Sequence, residues 1–157
     1  MINKDKFYET YKFEIDLFIK RSLEEDIGSI DHSTESSITS LGKKRMGLKI
    51  NKPCVLAGVE LAKKIFSFYD SEIDIDVKAP DGTLVKSEEI GFIVTGKASS
   101  LLILERLVLN CMQRMSGIAS MTSFLNEKIS HTKCTILDTR KTTPGFRYPE
   151  KWAVLIG

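Results

Sequence analysis

With 157 residues, 42% of them hydrophobic and 28% charged, the chain carries enough apolar side chains to bury one core or two small ones, which excludes a disordered segment. A net charge of +2 and a pI of about 8.4 give the whole molecule no field that would draw nucleic acid or an anionic membrane, so any basic function has to be local. No apolar run reaches the roughly 18 residues of a membrane span, and MINKDKFYETYKFEID is too charged for a signal-peptide core, so no membrane contact and a cytoplasmic location are expected.

The first element in chain order is a helix from Phe13 to Asp26, where Ile15, Phe18, Ile19 and Leu23 recur at helical spacing and Gly28 stands at the position of a left-handed cap. The polar stretch EDIGSIDHSTESS behind it suits an exposed connection. Between Arg45 and Ala98 short runs (MGLKI, CVLAG, IDIDV, TLVKS, IGFIV) alternate as strands do, with one helical insert from Val59 to Tyr69. Pro80, Asp81 and Gly82 form a tight turn in KAPDGTLVKSEEIGFIVTG, a piece that looks like the hairpin of biotinyl and lipoyl carrier domains. Such a carrier needs a lysine at the tip, and this tip is Asp81-Gly82.

From Ser99 to Ile129 the period changes to 3.6, with Leu101, Leu104, Val108, Met112, Met115, Ala119 and the run Met121 to Leu125 near one broad face, and with Ser99 or Ser100 as cap. One long helix is expected, or two in line broken near Ser116-Gly117. The short run CTILD then reads as a buried strand. The last stretch, PEKWAVLIG, begins as a helix or a strand. Cys54, Cys111 and Cys134 are widely spaced, odd in number and unaccompanied by histidine at ligand spacing, so they read as buried thiols and no metal site is expected.

Chemistry concentrates in the loop after CTILD. DTRKTTPGFR packs Arg140, Lys141 and Arg147 with Thr139, Thr142 and Thr143 into ten positions. An arginine grips a carboxylate or phosphate through two parallel hydrogen bonds, whereas a lysine acts as a mobile point charge, so the adjacent pair suits a substrate bearing both kinds of anion. Asp138 stands where it could orient Arg140. Composition alone leaves the loop open to two readings, an anion site or a solvated basic loop. A second polar set interrupts the long apolar helix: Glu105, Arg106, Asn110, Gln113 and Arg114, with Arg106 and Arg114 two turns apart on one face. Either a site or a solvated face with a Glu-Arg ion pair would account for it. No aromatic platform or second basic stripe accompanies the loop, which argues against nucleic acid.

The order of these pieces resembles the quinolinate phosphoribosyltransferase family. ERLVLNCMQRMSGIAS, then DTRKTTPGFR, then EKWAV are similar to that family's ER-x-x-LN and SGIAT helix, its DTRKT-x-PG-[LF]-R loop and its EK-[YW]-AV. LEEDIG and PDGTLV look like its LxEDxG and DGxxV, so the likeness runs over nearly the whole chain. Ile30 to Thr34 depart from the family's GD-[IV]-T-T, Ser120 replaces a threonine, and Phe146 replaces the more frequent leucine. A related protein associated with molybdate transport tends to lack the ER-x-x-LN helix, so Glu105, Arg106 and Asn110 favour the biosynthetic enzyme.

The resemblance implies an α+β, α/β architecture: an N-terminal α/β sandwich domain over 1–98, a long bridging helix over 99–130, and over 131–157 the start of an incomplete α/β barrel with CTILD as its first strand. The family's plan continues beyond this length, supplying a His-Arg pair, a second lysine and acidic residues, so the chain alone is expected to be a partial enzyme. The implied reaction transfers the phosphoribosyl group of PRPP to quinolinate with decarboxylation, giving nicotinate mononucleotide, CO2 and pyrophosphate, with Mg²⁺ accompanying the PRPP. By the same resemblance Arg140 holds a quinolinate carboxylate, Thr139 adds a donor to it, and Lys141 is the catalytic cation facing both substrates. Arg106 reaches across the subunit interface of a homodimer or higher homo-oligomer into the neighbouring subunit's site, and Arg114 and Arg147 are left without a role.

Overall fold

The computed structural model describes residues 4–28 and 42–157. Of the polar connection expected behind the first helix, Glu25 to Ile27 instead continue that helix, and the stretch from Ser29, including the departure at Ile30 to Thr34, lies outside the described residues. A 3₁₀ turn leads into α1 (Phe7–Thr10) and α2 (Lys12–Ile27), and α2 turns Ile15, Ile19 and Leu23 inward as its spacing predicts. Gly28 follows with φ 61°, a positive value that glycine adopts at little cost, although its ψ of −148° is extended and not left-handed helical.

Next come β1 (Lys43–Lys49), β2 (Cys54–Val55), α3 (Val59–Tyr69), β3 (Asp74–Val77), β4 (Leu84–Val85) and β5 (Ile90–Lys97). Strand β5 is the centre of a three-stranded antiparallel sheet, with Met46 of β1 and Ile75 of β3 both opposite Val94. Its alternation buries Phe92 and Val94 toward α3, where the Phe66 ring meets Phe92 edge-on at 6.2 Å. Strands β2 and β4 form a separate two-stranded sheet. The segment between β3 and β5 therefore crosses to a second sheet and is not the hairpin of a carrier domain.

One unbroken helix, α4 (Ala98–Ile129), passes under both sheets and buries Leu101, Leu104, Val108, Cys111, Met112, Met115 and Ala119. Each aliphatic side chain fully withdrawn from water here stabilises the fold by about 1.5–3 kcal/mol. The cap expected of Ser99 or Ser100 is not made. Both lie inside the helix, whose N-cap is Lys97 without a side-chain bond, and the Ser100 hydroxyl donates instead to Asp70 Oδ2 at 3.1 Å. The apolar face is also narrower than the sequence suggests, since Met121, Phe124 and Leu125 are exposed.

The serines of SGIAS bind this helix to the edge of the small sheet. Ser120 Oγ accepts from Val55 N at 2.9 Å, and Ser116 Oγ accepts from Ala57 N at 3.0 Å and donates to Ala57 O at 3.2 Å. Two hydroxyls thus do for this backbone what a neighbouring strand would do. Ser116→Ala leaves the buried Ala57 amide and carbonyl unpaired, and should cost about 1–3 kcal/mol of unfolding free energy in a urea titration. A cost below a few tenths would mean that water serves the same groups.

The chain ends in α5 (Arg147–Ile156), which resolves the last stretch as a helix. It docks against the N-terminal helices through aromatic rings: Phe7 and Tyr8 lie 5.1 and 5.0 Å from Trp152, and Tyr11 lies 4.6 Å from Tyr148. Residues 134–138 correct the expected strand. CTILD forms none, and Leu137 is 83% exposed. A strand needs lateral hydrogen bonds, and no described strand pairs with it. The thiols divide as well: Cys111 is buried, Cys54 half-buried, and Cys134 exposed, against the expectation of burial for all three.

Candidate active-site loop and its anchors

Residues 130–146 connect α4 to α5, and the cations in and beside their second half, from Asp138 on, are not equivalent. Arg147 Nε donates to Thr142 Oγ1 at 3.2 Å. Lys151, in the second turn of α5, forms an ion pair with Asp138. Asp138 therefore does not orient Arg140 as expected, because a helix side chain nearby reaches it first. Arg140 and Lys141 are exposed, and among the described residues their side chains have no hydrogen-bond or ion-pair partner. Thr139 Oγ1 accepts from the Lys141 amide at 3.2 Å, which bends the backbone locally and leaves the hydroxyl hydrogen to donate elsewhere.

The far end of the loop is held more firmly. Pro144 and Gly145 occupy the middle of a turn closed by Phe146 N to Thr143 O at 3.0 Å, with Gly145 at φ 79°. Glu150, on the first turn of α5, accepts from Arg114 Nε at 3.0 Å, Arg114 Nη2 at 2.6 Å and the Thr143 amide at 3.2 Å. Arg114 also donates to Thr143 Oγ1, and its guanidinium lies 5.8 Å from the Phe146 ring, which meets Phe18 of α2 edge-on. Burial pushes the Glu150 carboxyl up, but the hydrogen bonds from Arg114 and Thr143 outweigh it and hold the group below the usual carboxylate range.

Arg106 sits elsewhere. Its Nη1 donates to Asp26 Oδ1 at 3.0 Å, which joins the ER helix to the EDIG segment at the end of α2. An open groove of about 1170 Å³ runs between α2, α4 and residues 142–148, and Arg21, Arg106, Arg114 and Arg147 share it with Glu14, Glu25 and Asp26. A shallower one, of about 570 Å³, lies on α4 beside Asn110, Gln113 and Arg114. Arg106, Asn110 and Arg114 do line one face, as their spacing predicts, but Arg140 and Lys141 line neither groove. Within one chain the structure does not bring Arg106 to the Thr139–Lys141 segment. Cys111 also borders the larger groove, yet burial raises its thiol to about 12, so it stays protonated and unreactive near neutrality.

Residues 31–116 match the family model for the quinolinate phosphoribosyl transferase N-terminal domain, and residues 118–157 match that for its C-terminal domain. The chain belongs to the quinolinate phosphoribosyltransferase family. It is 40% identical over 141 residues to quinolinate phosphoribosyltransferase [decarboxylating] 1 of Nicotiana glauca, an alignment covering 88% of this chain and 39% of the relative. It is 37% identical over 144 residues to a probable nicotinate-nucleotide pyrophosphorylase [carboxylating] of Synechocystis, covering 91% and 48%. The fold agrees with the crystal structure of NadC from Streptococcus pyogenes at a TM-score of 0.87 and 36% identity, covering 92% of this chain and 52% of that one. For the nicotinate-nucleotide pyrophosphorylase from Francisella tularensis the TM-score is 0.84 at 29% identity, with 100% and 52% covered. The chain thus spans about two fifths of the length of the tobacco relative and about half that of the solved chains.

Against the family's motifs, the residues that sequence reasoning passed over are those that anchor. Asp26, Asp81, Glu150, Lys151 and Trp152 all lie inside quoted motifs, yet each partners a residue far from its own motif or outside it. The signal available was the charge itself: an acid and a base side by side at the start of an otherwise amphipathic helix. No described helix is long and apolar enough to cross a membrane.

Proposed function

We propose that this chain supplies the quinolinate-facing segment of a decarboxylating phosphoribosyltransferase of NAD biosynthesis, acting on quinolinate and PRPP. One observation carries this reading. Of the cations in and around the loop, Arg114, Arg147 and Lys151 are each engaged by a protein group, whereas Arg140 and Lys141 stand adjacent, exposed and, among the described residues, uncommitted. Cations kept out of internal pairing are available to an anionic substrate.

In the proposed reaction the bond between the ribose anomeric carbon and pyrophosphate breaks, the pyridine nitrogen bonds to that carbon, and one ring carboxylate leaves as CO2 while its carbon takes a proton. Arg140 grips a quinolinate carboxylate by two parallel hydrogen bonds, Thr139 donates its hydroxyl to the same group, and Lys141 offsets charge between the two substrates. The chain contributes positioning and electrostatic stabilisation more than acid-base work, and the proton that the ring carbon takes comes from solvent. Arg106 belongs to the same proposal as a residue for a neighbouring subunit's site in a homodimer, which requires its ion pair with Asp26 to open or to orient it. Mg²⁺ would enter with PRPP, since magnesium is commonly held through substrate phosphates. Among the described residues no group of three His, Cys, Asp or Glu could hold a metal ion.

The test is calorimetry of the chain with quinolinate before and after Arg140→Ala. A charged hydrogen-bonding group lost from the site should weaken binding roughly 10- to 100-fold. Absence of a binding heat in the unmodified chain, or affinity unchanged by the substitution, overturns the assignment. A cytoplasmic address is part of the same proposal, and since some relatives are named chloroplastic or mitochondrial, cell fractionation is its check.

A further inference from the structure

The EK pair that opens α5 is next to itself in sequence, and its two side chains reach opposite ends of the active-site loop. Glu150 accepts from the Thr143 amide at 3.2 Å and is itself held by Arg114 at 2.6 Å, while Lys151 forms an ion pair with Asp138. Both helix side chains are largely withdrawn from solvent, at 12% and 18% exposure, which distinguishes these pairs from the solvated ion pairs on the rest of the surface. Between the two anchors lie Thr139, Arg140, Lys141 and Thr142, and Thr142 is in turn held by Arg147. Three residues remain at the apex, the same three to which the proposed function assigns quinolinate.

We propose that Glu150 and Lys151 are positioning residues: fixed on one rigid helix, they clamp positions 143 and 138 and so preorganise the Thr139–Lys141 segment for an anion. The physical reason is entropic and electrostatic together. Backbone ordered before the ligand arrives need not be ordered by it, so the cations bind with less lost freedom. The clamp also occupies Arg114 and Lys151, the cations nearest the loop, with protein carboxylates, which leaves the substrate's charge to Arg140 and Lys141. This inference rests on the proposed function for its purpose, but the clamp itself is measurable without a ligand.

Amide hydrogen exchange of residues 139–143, read by mass spectrometry on the full chain, is the first measurement. Glu150→Gln and Lys151→Met each keep the shape of the side chain and remove its charge. Each should speed exchange in this segment about tenfold while the amides of α4 keep their rates. The pair Asp138→Lys with Lys151→Asp restores the attraction with its poles exchanged, and should return the segment to the unmodified rate, a rescue that a side chain acting only by packing would not show. Unchanged exchange in the single variants overturns the clamp, as does a charge exchange that fails to rescue.

The second measurement is quinolinate calorimetry on the same variants, expected to weaken about tenfold with Arg140 and Lys141 intact. If exchange responds but affinity does not, the segment is held without serving the ligand, and the positioning role fails while the clamp stands. If the unmodified chain does not bind quinolinate and exchange still responds, the proposed function fails and the clamp survives.

Discussion

Asp81→Ala should lower the stability of the protein by about 3 kcal/mol, a fall in Tm on the order of 10 °C for a chain of this size. The reason is the number of donors that one carboxylate serves. Asp81 Oδ1 accepts from Val59 N at 2.7 Å, and Oδ2 accepts from Glu60 N at 3.3 Å and from Trp152 Nε1 at 2.7 Å. It therefore caps α3 from outside that helix and at the same time fastens α5 to the sandwich, across 71 residues of chain. Alanine frees the helix amides and leaves the indole N–H of the buried Trp152 without its acceptor. Differential scanning calorimetry is the direct measurement, and a Tm within a degree of the unmodified protein would remove Asp81 from this role.

The same residue carries a pH signature. Burial pushes the Asp81 carboxyl above the usual carboxylate range, with the hydrogen bonds from Trp152 and the α3 amides pulling the other way. The folded protein then holds this proton more tightly than the unfolded chain does. Stability contributed at this position is accordingly greatest at the acid end, falls as pH rises from the ordinary carboxylate value to the folded one, and is level above it. Asp81→Ala lacks that decline, so the stability difference between the two proteins should narrow as pH rises through the window. A difference that widened instead would show that the hydrogen bonds, and not burial, dominate.

Gly58→Ala should cost about 2–4 kcal/mol, from two additive causes. Gly58 has φ 102°, a left-handed conformation that an L side chain adopts only with strain. A Cβ there would also stand 3.1 Å from Met112 Cγ, 3.2 Å from Met112 Cα and 3.2 Å from Met115 Sδ. The Met112 Cα cannot swing aside as a side-chain tip can, so α4 itself would have to move away from the start of α3. Chemical denaturation reads the cost. Shortening the neighbour in Gly58→Ala with Met112→Ala should recover only the share of the steric cost that Met112 Cγ contributes, since Met112 Cα and Met115 Sδ stay in place, and a single substitution without effect would refute the close approach.

Periodicity carried most of the architecture. The 3.6 repeat of Leu101, Leu104, Val108, Met112 and Met115 specifies α4, and the alternation in IGFIV specifies the central strand β5, because each pattern is a local consequence of backbone geometry. The loop chemistry was only half legible: its three arginines or lysines and Pro-Gly turn suit an anion site or a solvated basic loop, and it is the order of the flanking motifs that favours the first. CTILD marks the limit of such reasoning, since β-propensity expresses packing against neighbours, and no described strand pairs with this one.

What only the tertiary structure decided is which charges are spent on the protein and which are left over. Asp138 lies two residues from Arg140 and thirteen from Lys151, yet it pairs with the latter, because α5 returns alongside the loop. Ser116 marks a possible helix break and Ser120 a replaced threonine in the sequence, but in the fold they complete the hydrogen bonding of Val55 and Ala57, 65 and 59 positions away. The sequence by itself determined most of the elements, though not the strand expected at CTILD, together with the family and the inventory of cations. Assembly determined that Arg114, Arg147 and Lys151 serve the fold while Arg140 and Lys141 have no partner among the described residues, since pairing between distant residues depends on a distance that exists only once the helices have packed.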